Sequence, residues 1–217
     1  MLKRVFDRKQ QDELTAPGSG LRGPKVPRHS GAWDVLRKRL AAEPGLRILD
    51  VGYTSPTNIN YLTSLGHSIY LADLVHDAWV ENWQTGVDED GNGVWNVSGY
   101  LDFSLNLTGR TFDVVLLWTA LDYLPDALVK PVVDRLHEAM NPGGEVLALF
   151  HTRMDGEETA HCRYHVTEGS DMDMQLTEPF PIRRVFTNRS IERLFSNWSA
   201  HKQFLARDSV SEVIIKR

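Results

Sequence analysis

RILDVGYTSPTNINYLTSLGHSIYLAD, residues 47–73, decides the fold. Together with Leu46 it opens on a short apolar run that ends in Asp50 and Gly52. Ser55 and Pro56 then start a helix, because a serine side chain caps exposed amides and proline suits the first helical position. Ile59, Leu62 and Leu65 recur at helical spacing, and Gly66 is the stop. SIYLAD, residues 68–73, is a second strand. Strand, tight turn, helix, glycine stop and strand make one βαβ unit.

Ligands of such units sit beyond the carboxyl ends of the strands. Asp50, Gly52 and Asp73 all fall there. Gly52 lets the backbone turn sharply and approach a ligand. The helix that follows offers N–H groups near Tyr53–Thr57. A carboxylate ending the second strand, as Asp73 does, accepts hydrogen bonds from ribose hydroxyls. The plainer reading is that both acids only cap turns. A pyrophosphate requires the close backbone approach of G-x-G-x-x-G, and this turn reads G-Y-T-S-P-T. That disfavours a nicotinamide oxidoreductase or a flavin enzyme and favours a nucleoside cofactor without pyrophosphate.

Working outward, Ser30 is the expected cap of a helix with Trp33, Leu36 and Leu40 on one face, ended at Pro44–Gly45. Residues 75–85 are expected to form a short helix with Trp79 and Trp83, and residues 94–101 a third strand. FDVVLLW, residues 112–118, reads as a strand buried on both faces. Pro131 is expected to open a helix carrying Val132, Leu136 and Met140. NPGG breaks that helix, and EVLALF is another buried strand. SIERLFSNW is a last helix, and KQFLA with SEVIIKR a terminal antiparallel hairpin around Arg207–Asp208. The alternation predicts an α/β fold, a doubly wound parallel sheet with helices on both faces.

The chain of 217 residues suits one such domain. Its 41% hydrophobic content supports a core, and no apolar run approaches the ~20 residues of a membrane span. The first residues carry no apolar leader, and Cys162 is the single cysteine, so a cytoplasmic location is expected. Residues 1–30 hold seven Lys/Arg against three Asp/Glu and read as a flexible basic arm. The body, residues 31–217, is acidic, which argues against nucleic-acid binding. Within it, residues 152–185 read as an insertion, a β-hairpin lid or substrate element.

Five stretches in order resemble the class I SAM-dependent methyltransferases: ILDVG, GHSIYLADL, YLDF, FDVVLLWTALDYLPD and MNPGGEVLALF. The resemblance implies a seven-stranded sheet of order 3-2-1-4-5-7-6 with its last strand antiparallel. It implies S-adenosyl-L-methionine as cofactor; the residues do not identify the methyl acceptor, for which a small molecule is the expectation. The cofactor residues it implies are Asp50, Gly52, Tyr53, Asp73, Leu74, Asp102, Phe103 and Trp118, with Asp73 on the ribose, Gly52 at the methionine end and Asp102 with Phe103 near adenine. The family usually continues G-x-G-x-G where this chain has GYTSPTN. A non-catalytic binding or scaffold protein that keeps the fold is the alternative.

Methyl transfer is an in-line displacement in which the protein positions the acceptor, and a base is needed only where the acceptor loses a proton. Asp122, Tyr123 and His151 are the candidates at the sheet's carboxyl edge. His161, Cys162 and His165 lack a fourth ligand for zinc, and no metal is expected. Asp88 to Gly93 begins like a calcium loop, but its twelfth position is Gly99 and not the bidentate glutamate.

Overall fold

The computed structural model describes residues 22–155, 160–205 and 208–217. In chain order the elements are β1 (Arg22–His29), α1 (Gly31–Ala42), β2 (Arg47–Asp50), α2 (Pro56–Ser64), β3 (Ser68–Leu71) and α3 (Leu74–Val80). There follow β4 (Gln84–Val87), β5 (Gly93–Trp95), α4 (Val97–Ser104), β6 (Phe112–Trp118), α5 (Ala120–Tyr123) and α6 (Asp126–Ala139). The chain ends with β7 (Met140–His151), β8 (Cys162–Val166), β9 (Asp171–Leu176), α7 (Asn188–Leu194), β10 (Ala200–Phe204) and β11 (Val210–Lys216).

The main sheet has the order β10-β11-β7-β6-β2-β3. The pairings β2–β3, β2–β6 and β6–β7 are parallel, while β11 runs antiparallel to both β7 and β10. Its central strands are apolar on both sides because each side meets a core. Val114, Leu116, Ile48 and Leu147 face a cluster with Trp33 and Leu36 of α1 and Leu62 of α2. Val115, Leu117, Leu49 and Val146 face the opposite cluster with Val132 and Leu136 of α6 and Leu74 of α3. No helix among the described residues is long and apolar enough to cross a membrane.

Expectations in three regions are corrected here. The sheet has six strands and not seven among the described residues, because the expected third strand is absent. Only Gly93–Trp95 is extended, in a hairpin with β4, and the Asn96 side chain then accepts from Gly99 N at 3.0 Å to start α4. Tyr100, Leu101 and Ser104 are buried at helical spacing, so this apolar text serves a helix face and not a strand.

Pro131 lies inside α6, which begins at Asp126, so it does not open that helix. One backbone hydrogen bond is given up there, and the buried Leu128, Val129, Val132 and Leu136 hold the turn it interrupts. Trp83 likewise lies beyond the end of α3, with its indole N–H on Asp77 O at 2.8 Å.

The third correction concerns the basic arm. Residues 1–21 lie outside the described residues. Residues 22–29 are strand β1, the edge of a second sheet of order β1-β9-β8 built on the insertion. An edge strand accommodates Pro24 and Pro27, and a register shift between Arg22 and Val26 absorbs Gly23 at φ 69°. Arg28, placed above in the flexible basic arm, is buried. Its Nε meets Asp208 at 2.7 Å and its Nη1 meets Glu212. Glu212 also accepts from Ser30 Oγ at 3.1 Å and Ala32 N at 2.8 Å, an anion at the start of α1. Ser30 caps that helix as expected, accepting from Trp33 N at 3.0 Å.

Candidate functional site

The carboxyl ends of β2, β3, β6 and β7 meet the hairpin β8–β9 and the segment 177–187. Asp50 closes β2 and is fully buried. One carboxylate oxygen accepts from Trp118 Nε1 at 2.6 Å and Gly52 N at 3.2 Å, and the other from Asn58 Nδ2 at 3.1 Å. Burial raises its pKa, opposed by those hydrogen bonds. Asp50 is therefore the post around which the turn is built. Asn58 carries the same network onward. Its Nδ2 reaches Tyr164 O at 3.0 Å and its Oδ1 takes Val166 N at 2.8 Å, which pins β8 against α2.

Gly52 has a duty that the motif did not show. A Cβ there would stand 2.6 Å from Trp118 Cδ1. Trp118 ends β6 at φ 52°, a conformation that costs a tryptophan on the order of 1–2 kcal/mol. Its hydrogen bond to Asp50 and its stack on Tyr164, with ring centroids 5.1 Å apart, hold it there. Gly52→Ala is expected to destabilise by roughly 1–3 kcal/mol through overpacking, read as a lower midpoint in urea. An unchanged midpoint would show that the indole moves aside freely.

Asp73 follows β3 and caps α3, with Oδ1 accepting from His76 N at 3.1 Å. Burial holds its carboxyl up at about 6, against the hydrogen bond and charge of His76. Tyr53 lies between Gly52 and α2, with the Arg163 guanidinium 4.6 Å above its ring. Leu74 is a core residue, and its carbonyl takes the Tyr100 hydroxyl at 2.9 Å.

Asp102 and Phe103 do not join this group. Both are exposed on α4. Asp102 is paired with Arg135 of α6 at 3.6 Å, and Phe103 lies against Trp83 at 5.6 Å between ring centroids. The helix that replaced the third strand carried them to the α4–α6 surface.

Asp122, Tyr123 and His151 do come together, fully or almost fully buried. Asp122 Oδ2 accepts from His151 N at 2.7 Å and from His151 Nδ1 at 2.8 Å. A carboxylate acceptor places the proton on Nδ1 and leaves the lone pair on Nε2. Asp122 Oδ1 is buried with no hydrogen-bond partner among the described residues. Burial raises the Asp122 pKa, opposed first by its bond to His151.

Tyr123 stands edge-on to His151 and to His161, at 5.8 and 4.8 Å between ring centroids. The aromatic row continues through Phe180 to Trp79. The segment carrying Phe180 crosses the edge and is tied down where Arg183 N donates to Asp122 O at 2.7 Å.

His161, Arg163 and His165 share one face of the extended strand. His161 Nδ1 is 2.6 Å from Thr177 Oγ1, and burial lowers its pKa to about 3. His165 meets Ser55 Oγ at 2.9 Å and Gln175 Oε1 at 3.2 Å, and burial lowers its pKa to about 4. Both imidazoles are thus neutral members of hydrogen-bonded pairs. Burial pushes the Cys162 thiol up to about 12. Among the described residues no three His, Cys, Asp or Glu side chains converge on a metal position. In the β4–β5 turn the Asp88 carboxylate is taken by Asp90 N, Asn92 N and Asn92 Nδ2.

Sequence reasoning missed Asn58, Arg163 and Phe180. Arg163 alone had a signal, since it lies midway between His161 and His165, and alternate residues of an extended segment share a face.

No curated protein sequence matches the chain. Among solved structures, it is similar to 1,6-didemethyltoxoflavin-N1-methyltransferase of Burkholderia thailandensis, bound to 1,6-didemethyltoxoflavin and S-adenosylhomocysteine. That match has 15% identity over 86% of this chain and 79% of the other, with a TM-score of 0.47. An S-adenosylmethionine dependent methyltransferase of Mesorhizobium loti matches at 14% identity over 85% and 97%, with a TM-score of 0.46. A SAM-dependent methyltransferase of Methanosarcina mazei matches at 16% identity over 80% and 92%, with a TM-score of 0.43. The family assignment rests on sequence: the family model described as "Methyltransferase domain" matches residues 28–198. With most of its 217 residues inside that match, the chain belongs to the methyltransferase-domain family.

Proposed function

We propose that the protein transfers a methyl group from S-adenosyl-L-methionine to a small-molecule acceptor that gives up a proton to His151. The observation that carries this reading is the convergence of Asp73, Tyr53 and Arg163 at the carboxyl end of the parallel strands, within a methyltransferase-family chain. The donor set fits the cofactor: a carboxylate for ribose hydroxyls, an aromatic ring, and a cation whose Nε is buried with no hydrogen-bond partner among the described residues. When bound, the cofactor supplies an electrophilic methyl group and leaves as S-adenosylhomocysteine.

The chain's own part is positioning and proton removal. Asp122 fixes the His151 ring so that Nε2 presents its lone pair, and the acceptor's proton goes there. Tyr123 packs edge-on to His151, and His161 and Phe180 continue the aromatic row beside it. The hairpin and the segment 177–187 cover it, which supports a small acceptor and a lid role for the insertion.

Calorimetric titration with S-adenosylhomocysteine tests the reading. Binding is expected for the wild type, and Asp73→Ala is expected to weaken it roughly tenfold or more, the loss of hydrogen bonds to a charged acceptor. Affinity should also rise with pH through about 6, where Asp73 ionises and becomes an acceptor only. The sign for the free protein is opposite. The folded carboxyl holds its proton more tightly than the ordinary value of 3.8, so ionisation between 3.8 and about 6 costs the free protein stability. Equal affinity for wild type and Asp73→Ala would remove Asp73 from the site.

A second reading, a non-catalytic relative that keeps the fold, draws on Trp118, which fills the space beside Gly52. Absence of S-adenosylhomocysteine binding by the wild type would favour it.

A further inference from the structure

We infer that Arg163, supplied by the insertion hairpin, seats the carboxylate of the cofactor's amino-acid end. The inference rests on the S-adenosyl-L-methionine reading above.

Gly52 N is spent on Asp50 Oδ1, and Asn58 N on the Ser55 cap. Ile59 N bonds Ser55 O, and Pro56 has no N–H. Gly52 N and the first α2 amides are thus taken, and the indole of Trp118 fills the side where Gly52 lacks a Cβ. The remaining turn amides are neutral, and a carboxylate at this end gains from a charged donor beside them.

Arg163 is that donor. It is 9% exposed, and its Nε is buried with no hydrogen-bond partner among the described residues. Its guanidinium lies 4.6 Å over the Tyr53 ring, directly above the glycine-poor turn. Its guanidinium also lies within electrostatic reach of Asp73 and Asp50. Burial lowers its pKa, opposed by Tyr53 and those two acids. A guanidinium withdrawn from water with an open N–H is stable only if something accepts that hydrogen bond. The planar fork matches a carboxylate.

Its backbone position is fixed independently of any ligand. Tyr164 O and Val166 N of the same strand are clamped by Asn58, and His165 by Ser55. The side chain is thus presented by a strand already docked on α2.

The test compares S-adenosylhomocysteine with 5′-methylthioadenosine, which lacks the amino-acid end, by calorimetry on the full chain. Arg163→Met is expected to lose roughly tenfold or more in affinity for S-adenosylhomocysteine and less than about twofold for 5′-methylthioadenosine. Arg163→Lys, which keeps the charge and loses the fork, is expected to fall between the two. Unchanged affinity of Arg163→Met for S-adenosylhomocysteine would overturn the inference, as would an equal loss for both compounds in Arg163→Lys with a wild-type thermal midpoint. A wild type that binds neither compound would sink the cofactor reading itself, a result distinct from either of these.

Discussion

Replacing His151 with Asn should lower turnover by roughly 10²–10⁴-fold while leaving S-adenosylhomocysteine affinity within about threefold of wild type. The basis is geometric. The Asp122 carboxylate takes both the backbone N–H and the Nδ1–H of His151, at 2.7 and 2.8 Å. One tautomer and one ring orientation result, with Nε2 as the available base. Asp122 touches no reacting atom and acts as a positioning residue. Asp122→Asn should therefore lower kcat with little change in KM for the acceptor. The readout is release of S-adenosylhomocysteine against a panel of small phenols and hydroxylated heterocycles, compared on any acceptor the wild type methylates. A pair that served stability alone would leave kcat of the folded variant at the wild-type value and lower only its thermal midpoint.

The second large effect lies far from this edge. Glu212→Ala should destabilise the protein by roughly 3–5 kcal/mol, the usual cost of leaving a buried charge without its partner. Glu212 is fully buried on β11 and serves three groups at once: Arg28 of β1, Ser30 Oγ and the N–H of Ala32 at the start of α1. Removing it takes the more buried of two carboxylates from the Arg28 guanidinium, which keeps Asp208 and Val210 O among the described residues, and leaves Ser30 Oγ and Ala32 N without their acceptor. For a chain of this size such a loss lowers the melting temperature by roughly 6–20 °C. Arg28→Met with Glu212→Gln in one chain should cost less than the two single changes summed, because neither charge is then left alone. A loss below about 1 kcal/mol in urea denaturation of Glu212→Ala would show that the cluster behaves as a surface pair.

This cluster also shows where sequence reading stops. Arg28 and Glu212 are 184 positions apart, and nothing local distinguishes Arg28 from the other arginines and lysines around it. Pro24 and Pro27 lie in β1, which the edge position tolerates because a proline there forfeits no ladder hydrogen bond on the open side. By contrast, residues 47–73 were legible because every signal in them is local: an apolar run, a serine cap with proline behind it, helical spacing and a glycine stop. The caps at Ser30 and Ser55 formed as read for the same reason.

The segment 94–104 misled because Tyr100 and Leu101 suit a strand or a helix face equally, and the Asn96 cap decided the matter. Asp102 and Phe103 moved with it, away from the edge. Asp122 and His151 were each visible as polar residues at strand ends, but their hydrogen bond spans 29 positions and emerges only when β6 and β7 pair in parallel. Arg163 was readable as the residue between His161 and His165. Its bearing on the cofactor came only with the fold, which carries β8 over Tyr53.

The proposed S-adenosyl-L-methionine site lies at the end of β2 and β3. A crystal structure of the full chain with S-adenosylhomocysteine tests it. The ribose hydroxyls should lie within hydrogen-bond distance of the Asp73 carboxylate, and the amino-acid carboxylate on Arg163. Ligand density elsewhere on the chain, or none at saturating concentration, would contradict it.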